Sequence, residues 1–269
     1  MKKKKGIKVH GWDLALNHAG FVELVDGELN DFWYVTDLAG SAGRSKKHGT
    51  RLVPAKTKDR QERAMIRLAW WEHFIDKRIL MPRKPDFVGI EDYALDASHG
   101  AHYKGELGGI ARILCWFRGT NFRLHDPISI KMFVSHDGTC QKDGIERAVK
   151  KRWGVDFDKF NQPPSAPTAK RPNPRPNRQT SEDLADAFGV AWLVWTEYLL
   201  RTGQMMLSEL PEKEVRVFNR ITKSYPVNLL ERDWLRNEEG VKTPHGEKVC
   251  PRCGSRKCCL AKIGRVKAK

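Results

Sequence analysis

The chain has 269 residues, with 49 Lys and Arg against 33 Asp and Glu, a formal net charge of +16 and an isoelectric point near 9.7. Its 40% hydrophobic content allows a buried core, and its length predicts one full domain plus a smaller part. No apolar run approaches the roughly 20 residues that cross a bilayer, which excludes a helical membrane span. Residues 1–10 lack the apolar stretch of a secretory signal, so we expect a cytoplasmic protein.

The basic excess is concentrated in four stretches, whereas the remaining residues contain more acids than bases. These stretches are residues 1–10, 41–60, 162–180 and 245–269. Such basic stretches favour a polyanionic partner. Solvated, flexible ends are the alternative that charge alone leaves open.

Hydrophobic patterning predicts strands first and then an alternation of helices and strands. Strands are predicted at residues 7–15, 20–25 and 29–36, the last two joined by a turn at Asp26 and Gly27. The segments that follow are a helix at 60–79, a short apolar strand at 87–91, a helix at 105–117, a strand at 122–125, a β-like stretch at 128–134 and a helix at 139–153. This order predicts an α/β fold with a mixed five-stranded sheet flanked by helices.

The second half of the chain begins with a basic, proline-rich segment at residues 162–180, which has no apolar periodicity and is predicted to be a loop. Residues 181–201 form the strongest predicted helix, apolar on almost every face, and amphipathic helices are predicted at 207–218 and 227–235. We therefore expect a main domain and a small helical extension with a cysteine-rich tail, at residues 1–202 and 203–269.

Two carboxylates lie where a sheet core should be apolar. Asp13 is flanked by Trp12 and Leu14 inside the first predicted strand, and Glu91 ends the apolar run 87–90. If the two strands are adjacent, the carboxylates lie side by side at one end of the sheet. Burying two like charges costs several kcal/mol unless cations or hydrogen bonds compensate. Taken singly, each residue fits a solvent-facing strand end equally well.

The helix at 181–201 adds two more acids, Asp183 and Asp186, which share one face at the i, i+3 spacing. Asp183 also fits a helix-capping pattern with Thr180. Asp186 lies one turn further in, among apolar residues, on a helix with no polar face. Acids converging from two strands and a helix predict an oxygen-rich site for Mg²⁺ or Mn²⁺. Two such ions, one activating water and one holding the leaving oxygen, are the usual route to phosphodiester cleavage.

Four short motifs follow one another between residues 7 and 200. They are Gly11-Trp12-Asp13 followed by Gly20-Phe21-Val22, then Val88-Gly89-Ile90-Glu91, then Ile130-Lys131 with Gly138 and Lys142, and last Asp183-Leu184-Ala185-Asp186-Ala187-Phe188. In this order they resemble motifs of the RNase H-like superfamily and, within it, of the RuvC-like Holliday junction resolvases.

The resemblance implies an RNase H-like nuclease domain and a homodimer that resolves four-way DNA junctions by paired nicks, with two Mg²⁺ ions in each active site. It implies that Asp13, Glu91, Asp183 and Asp186 hold the metals. Lys131 and Lys142 would contact backbone phosphates, as suits point-charge lysines. Tyr93 lies near the place of a family aromatic that stacks on an opened base, although a core tyrosine is the alternative.

The chain also departs from the family pattern. Leu14 and Ala15 stand where the family has proline followed by a small residue, and the segment 162–180 and everything beyond about residue 203 lie outside the match. Another RNase H-like activity therefore stays open, either a flap or fork endonuclease or a transposase-type strand transferase. A non-catalytic nucleic-acid-binding protein with structural acids is the alternative of a different class.

Four of the six cysteines crowd into the C-terminal tail. They form Cys250-Pro251-Arg252-Cys253 and Cys258-Cys259, with His245 as a further candidate ligand. This spacing favours a compact, zinc-knuckle-like Zn²⁺ site over free or redox thiols. Because basic residues surround it, we expect the tail to be a DNA-binding accessory. Cys115 and Cys140 stand alone and are predicted to be inert.

Overall fold

The structure is a computed structural model that describes residues 6–37, 47–52, 57–92, 101–161, 178–221 and 227–237. Within these ranges the strands form one mixed sheet of six in the order β4-β3-β2-β1-β5-β6. They are β1 (Lys8–Leu14), β2 (His18–Val25), β3 (Glu28–Thr36), β4 (Gly49–Arg51), β5 (Phe87–Glu91) and β6 (Asn121–His125). The predicted mixed sheet flanked by helices is thus confirmed, with one strand more than expected.

The helices lie on both faces of the sheet. They are α1 (Arg60–Phe74), which continues through a π-helical segment (Ile75–Leu80) into α2 (Met81–Arg83), then α3 (Ala101–Arg118), α4 (Pro127–Ser135), α5 (Lys142–Trp153), α6 (Gln179–Arg201) and α7 (Glu212–Asn219). One core lies between the sheet and α6, flanked by α4, α5 and α7. The other core lies between the opposite face and α1 and α3.

The central strands place two acids at the same edge of the sheet. β1 runs antiparallel to β2 but parallel to β5, so the carboxyl ends of β1 and β5 meet. Trp12 pairs with Ile90, and the next residue of each strand is Asp13 and Glu91, respectively. Side chains alternate along β1, so Asp13 faces α6 while its neighbour Trp12 is buried in the opposite core.

Glycines on the central strands allow α6 to lie unusually close to the sheet. A Cβ at Gly11 would overlap the carbonyl oxygen of Ala187, and one at Gly20 would overlap the carbonyl oxygen of Asp183. Gly89 on β5 likewise has no room for a side chain beneath α6. Because these glycines belong to the motifs quoted above, the motifs encode the close approach that brings the N-terminal half of α6 onto the carboxyl edge.

Three local predictions were wrong. Residues 128–134 are helical and lie in α4, because the Asp126 side chain accepts the backbone N–H of Ser129 as an N-cap and Pro127 suits the first helical turn. The basic segment between the third predicted strand and the helix at 60–79, for which the sequence predicts a loop, contains β4, which pairs in parallel with β3. The helix predicted at 227–235 is a single 3₁₀ turn, Leu229–Glu231, followed by a β-bridge between Phe122 and Leu235.

The described part of the chain after residue 203 packs onto the α6 side of the molecule. Val217 and Phe218 of α7 are buried in that core, and Leu229 and Trp234 pack against it. None of the helices in the described ranges is long and apolar enough to cross a membrane. The predicted loop at 162–180 lies almost wholly outside the described residues, as do Tyr93, His245 and the cysteine-rich tail with its predicted zinc site.

Candidate metal centre

Three carboxylates meet at the carboxyl edge of the central strands. Asp13, Glu91 and Asp186 each offer a side-chain oxygen, and these oxygens all lie within 4.8 Å of one another. Asp13 is buried, Glu91 is half-buried, and 14% of the Asp186 side chain is exposed. The donor set consists of oxygen alone, which is the set that Mg²⁺ and Mn²⁺ prefer. The side chains present therefore fit the divalent cation that the sequence predicts.

The electrostatics of this cluster indicate an excess of negative charge. Burial raises the pKa of Asp186 well above its ordinary value, and the negative charge of Asp13 raises it further, against the lowering effect of Lys142. Burial and Asp13 likewise raise the pKa of Asp183, although a hydrogen bond from His18 opposes the shift. Because close like charges disfavour ionisation, a cation that binds here would relieve the repulsion and stabilise the ionised carboxylates.

Asp183 lies beside the cluster, held by a histidine that sequence reasoning missed. The Nδ1 of His18 lies 2.7 Å from Asp183 Oδ2. Burial alone would lower the pKa of His18, but its hydrogen bond with Asp183 and the charge of that residue outweigh burial and raise the pKa. The protonated imidazole, which donates through Nδ1–H, is therefore favoured. Asp183 Oδ1 is buried and has no hydrogen-bond partner among the described residues, so one oxygen remains to face a cation.

Both predicted phosphate-binding lysines lie near the acids. Lys142, the first residue of α5, has its Nζ 3.7 Å from Asp183 Oδ1 and 4.0 Å from Asp186 Oδ2. Burial opposes the charge on Lys142, but Asp13, Asp183 and Asp186 outweigh it and raise its pKa. The positive charge of Lys131 on α4 also lowers the pKa of Asp186. Lys142 remains half exposed, so its ammonium group is accessible to an anionic ligand.

The fold and this cluster define a mixed α/β protein with an acidic cluster, able to hold a divalent cation, at the carboxyl edge of its sheet. No protein-family model matches the chain, and no curated protein matches it. Solved structures that it resembles include RuvC of Thermus thermophilus, at 16% identity and a TM-score of 0.44 over 73% of this chain and 97% of RuvC. They also include T. thermophilus RuvC in complex with a Holliday junction substrate, at 18% identity and a TM-score of 0.47 over 73% of this chain and 96% of RuvC.

Proposed function

We propose that this protein is a Mg²⁺- or Mn²⁺-dependent endonuclease that resolves four-way DNA junctions by paired nicks. The observation that carries the proposal is the approach of Asp13, Glu91 and Asp186 oxygens to within 4.8 Å of one another at a half-buried edge. Three carboxylates in this space repel one another when ionised and so favour a cation, and a divalent ion among carboxylates is the common centre for phosphodiester hydrolysis. The formal net charge of +16 supports a polyanionic substrate.

In this proposal, Asp13, Glu91 and Asp186 hold the metal, with Asp183 supplying a further oxygen for a second ion. The chemistry that divalent ions supply in such centres is the activation of water and the neutralisation of the leaving oxygen. His18 orients Asp183 by its hydrogen bond. Lys142 and Lys131 hold the phosphate that approaches the acids, because each is a positive charge at the rim of an acidic cluster.

The junction specificity and the homodimer are the finer parts of the proposal. Their support is the RuvC-like order of sequence motifs, whose residues come together at one place. The motif glycines lie under α6, and the motif acids lie at the neighbouring edge. A homodimer would present two such centres, as paired nicks require.

Cleavage of defined substrates tests the function. Purified protein is incubated with a labelled four-way junction, a linear duplex and a flap, in Mg²⁺ or in EDTA. We expect Mg²⁺-dependent, paired nicks in the junction that leave 5′-phosphate and 3′-hydroxyl ends. Asp186→Asn should abolish these nicks, whereas Glu212→Gln, which changes an exposed side chain of α7, should leave them unchanged.

Other outcomes would redirect the proposal. Equal cutting of linear duplex contradicts junction selectivity, and preferred cutting of the flap favours a flap or fork endonuclease. Joining of ends favours a strand transferase. Binding without cleavage in either Mg²⁺ or Mn²⁺ contradicts the nuclease and favours a non-catalytic nucleic-acid-binding protein.

We also propose that the tail binds Zn²⁺ and adds DNA affinity. Cys250, Cys253, Cys258 and Cys259 are its candidate ligands, with His245 as a substitute. Truncation before His245 should remove the bound zinc and weaken DNA binding. Unchanged zinc content and affinity would contradict this role.

A further inference from the structure

The inward face of α1 changes character along the helix. Near its end this face buries large apolar side chains, at Leu68, Trp71 and Phe74. Near its start the same helical stripe, continued at the i, i+3, i+4, i+7 spacing, carries Arg60, Arg63, Ala64 and Arg67. The two acids of α1 lie on other faces, at Glu62 and Glu72. The stripe that belongs to the core thus continues as a row of arginines.

These arginines line an open groove. Arg60, Arg63 and Arg67 form it together with Leu16 and Ala64, and its volume is ≈ 280 Å³. None of the described residues that line it is acidic. Its volume lies just below the roughly 300–1,000 Å³ that is usual for ligand sites. The groove is therefore lined by three positive charges and by two apolar side chains, those of Leu16 and Ala64.

The groove and the metal centre share one loop. Asp13 lies near the end of β1, and the chain then passes through Leu16 and Asn17 to His18, which holds Asp183. Arg67 donates a hydrogen bond to Asn17 Oδ1 on the α1 side of this loop. Trp71 Nε1 donates to the Leu16 carbonyl oxygen at 2.9 Å. A ligand in the groove would therefore lie directly beside the loop that leads to the acids.

The chemistry of the groove suits a sugar–phosphate backbone. Guanidinium groups bind phosphate through paired N–H donors. Arg67 uses one N–H on Asn17, and an arginine has five donors in all. From Arg60 to Arg67 the helix rises about 10 Å. That distance spans about three steps of a DNA strand, at roughly 3.4 Å per step.

We propose that this groove binds the backbone of the DNA strand that enters the metal centre. The inference rests on the proposed function, which supplies the DNA strand. Because α1 lies on the opposite face of the sheet from α4 and α5, the strand would be held on both sides of the acids. The arginines contact it before the loop at residues 15–18, and Lys131 and Lys142 contact it beyond.

The test measures DNA binding as a function of salt, in EDTA so that nothing is cut. Arg60→Gln/Arg63→Gln is compared with Arg147→Gln/Arg216→Gln, which removes the same charge from exposed positions on α5 and α7. Arg67 is kept, so its bond to the loop is preserved. We expect the groove variant to bind a four-way junction roughly tenfold more weakly at 0.1 M salt, with a log–log salt slope reduced by about 2.

The control variant should keep the affinity and the slope within experimental error. An unchanged slope in the groove variant, or an equal loss in the control, would overturn the inference. A conservative pair, Arg60→Lys/Arg63→Lys, covers the case in which the glutamine variant does not fold. It should keep the salt slope but lose affinity, because lysine cannot form bidentate contacts; wild-type affinity in this pair would also count against the groove.

Two further measurements, cross-linking and a comparison of cleavage with binding, separate this inference from the proposed function. A photo-cross-linking amino acid at Ala64 should cross-link one strand within a few nucleotides of the nick, and cross-linking elsewhere would overturn the groove as the entry path. If the wild type cleaves junctions and the groove variant binds DNA normally, the inference about the groove is contradicted while the proposed nuclease function stands. If the groove variant shows the expected loss and the wild type never cleaves, the nuclease fails while the DNA-binding surface stands.

Discussion

The two halves of α6 carry buried acids with opposite surroundings. In the N-terminal half, Asp183 and Asp186 approach other acids, and the nearest ammonium nitrogen, that of Lys142, lies 3.7 to 4.0 Å away. In the C-terminal half, Glu197 is completely buried, and its Oε1 lies 2.7 Å from Arg201 Nε and 3.0 Å from Arg123 Nη2. One helix thus buries two kinds of cluster. We call the acid paired with arginines, Glu197, the balanced cluster, and the acids that lie beside other acids, Asp183 and Asp186, the unbalanced cluster.

The difference shows that burial of a charge does not by itself mark a functional site. Burial raises the pKa of both Glu197 and Asp186. At Glu197 the next contributions, from Arg123 and Arg201, oppose that rise, whereas at Asp186 the next contribution, from Asp13, adds to it. Buried carboxylates with matched guanidinium groups have their charge compensated within the fold, whereas those with an excess of negative charge favour binding of a cation.

The balanced cluster also has a clear structural task. Arg123 on β6 donates to the carbonyl oxygen of Arg232 at 2.6 Å, and its guanidinium lies 4.8 Å from the ring centroid of Trp234. Arg201 donates to the Leu229 carbonyl oxygen at 2.7 Å. The arginines that pair with Glu197 therefore also hold the segment 227–237 against the sheet and α6 through these contacts.

The largest effect is expected from neutralising the unbalanced cluster. On the proposed function, Asp186→Asn should lower the cleavage rate by about 10³-fold or more, because it removes a proposed metal ligand. In EDTA its free energy of unfolding should equal or exceed that of the wild type, since a repulsive charge is lost. Junction cleavage and urea unfolding measure the two quantities. A loss of more than about 1 kcal/mol of stability would mean that Asp186 is a paired structural acid.

The next largest effect comes from breaking the balanced cluster. Glu197→Gln leaves the buried guanidinium of Arg123 without its carboxylate and should lower the free energy of unfolding by about 3–5 kcal/mol. Cleavage per folded molecule should stay unchanged, because residue 197 lies about 16 Å along the helix from residue 186. The exposed Glu212→Gln is the matched control and should change stability by less than about 1 kcal/mol. A small loss at Glu197 together with lost cleavage would reverse the roles of the two clusters.

The contrast also explains what the sequence could predict. An acid inside an apolar run, such as Asp13 or Asp186, is a local signal and is readable from a single sequence. The contacts of His18 with Asp183 and of Arg123 with Glu197 join residues far apart in the chain, and no local pattern encodes them. The convergence of Asp13, Glu91 and Asp186 was thus predictable, whereas the contact of His18 with Asp183 and the ion pairs of Glu197 were not.

The fold was predictable to a similar degree. Long periodic elements such as α6 and the opening hairpin follow from hydrophobic spacing. β4 has three residues and depends on pairing with β3, so the sequence around it predicts a loop. Residues 128–134 alternate too little to separate strand from helix, and the N-cap at Asp126 decides the outcome.

The smallest expected effect concerns a second balanced acid, Asp76 in the π-helical segment. Burial favours its neutral form, but hydrogen bonds from Arg118 and Lys77, with their charges, outweigh burial and lower its pKa. Arg118 donates to both carboxylate oxygens, at 2.6 and 2.7 Å. A carboxylate with a lowered folded-state pKa stabilises the protein fully above its unfolded pKa, near 3.9, and the stabilisation is lost as pH falls through the folded value.

The stability advantage of the wild type over Asp76→Asn should therefore shrink as the pH is lowered below about 5, and the total loss reaches about 1.4 kcal/mol for each unit of pKa lowering once the pH is below the folded-state pKa. Urea unfolding at several pH values, in EDTA to keep metal binding out of the comparison, measures it. An advantage that grows on acidification would mean that burial dominates at Asp76. Arginine and lysine partners would then be too weak to offset burial at Asp76, and the distinction between the two halves of α6 would need a cause other than charge balance.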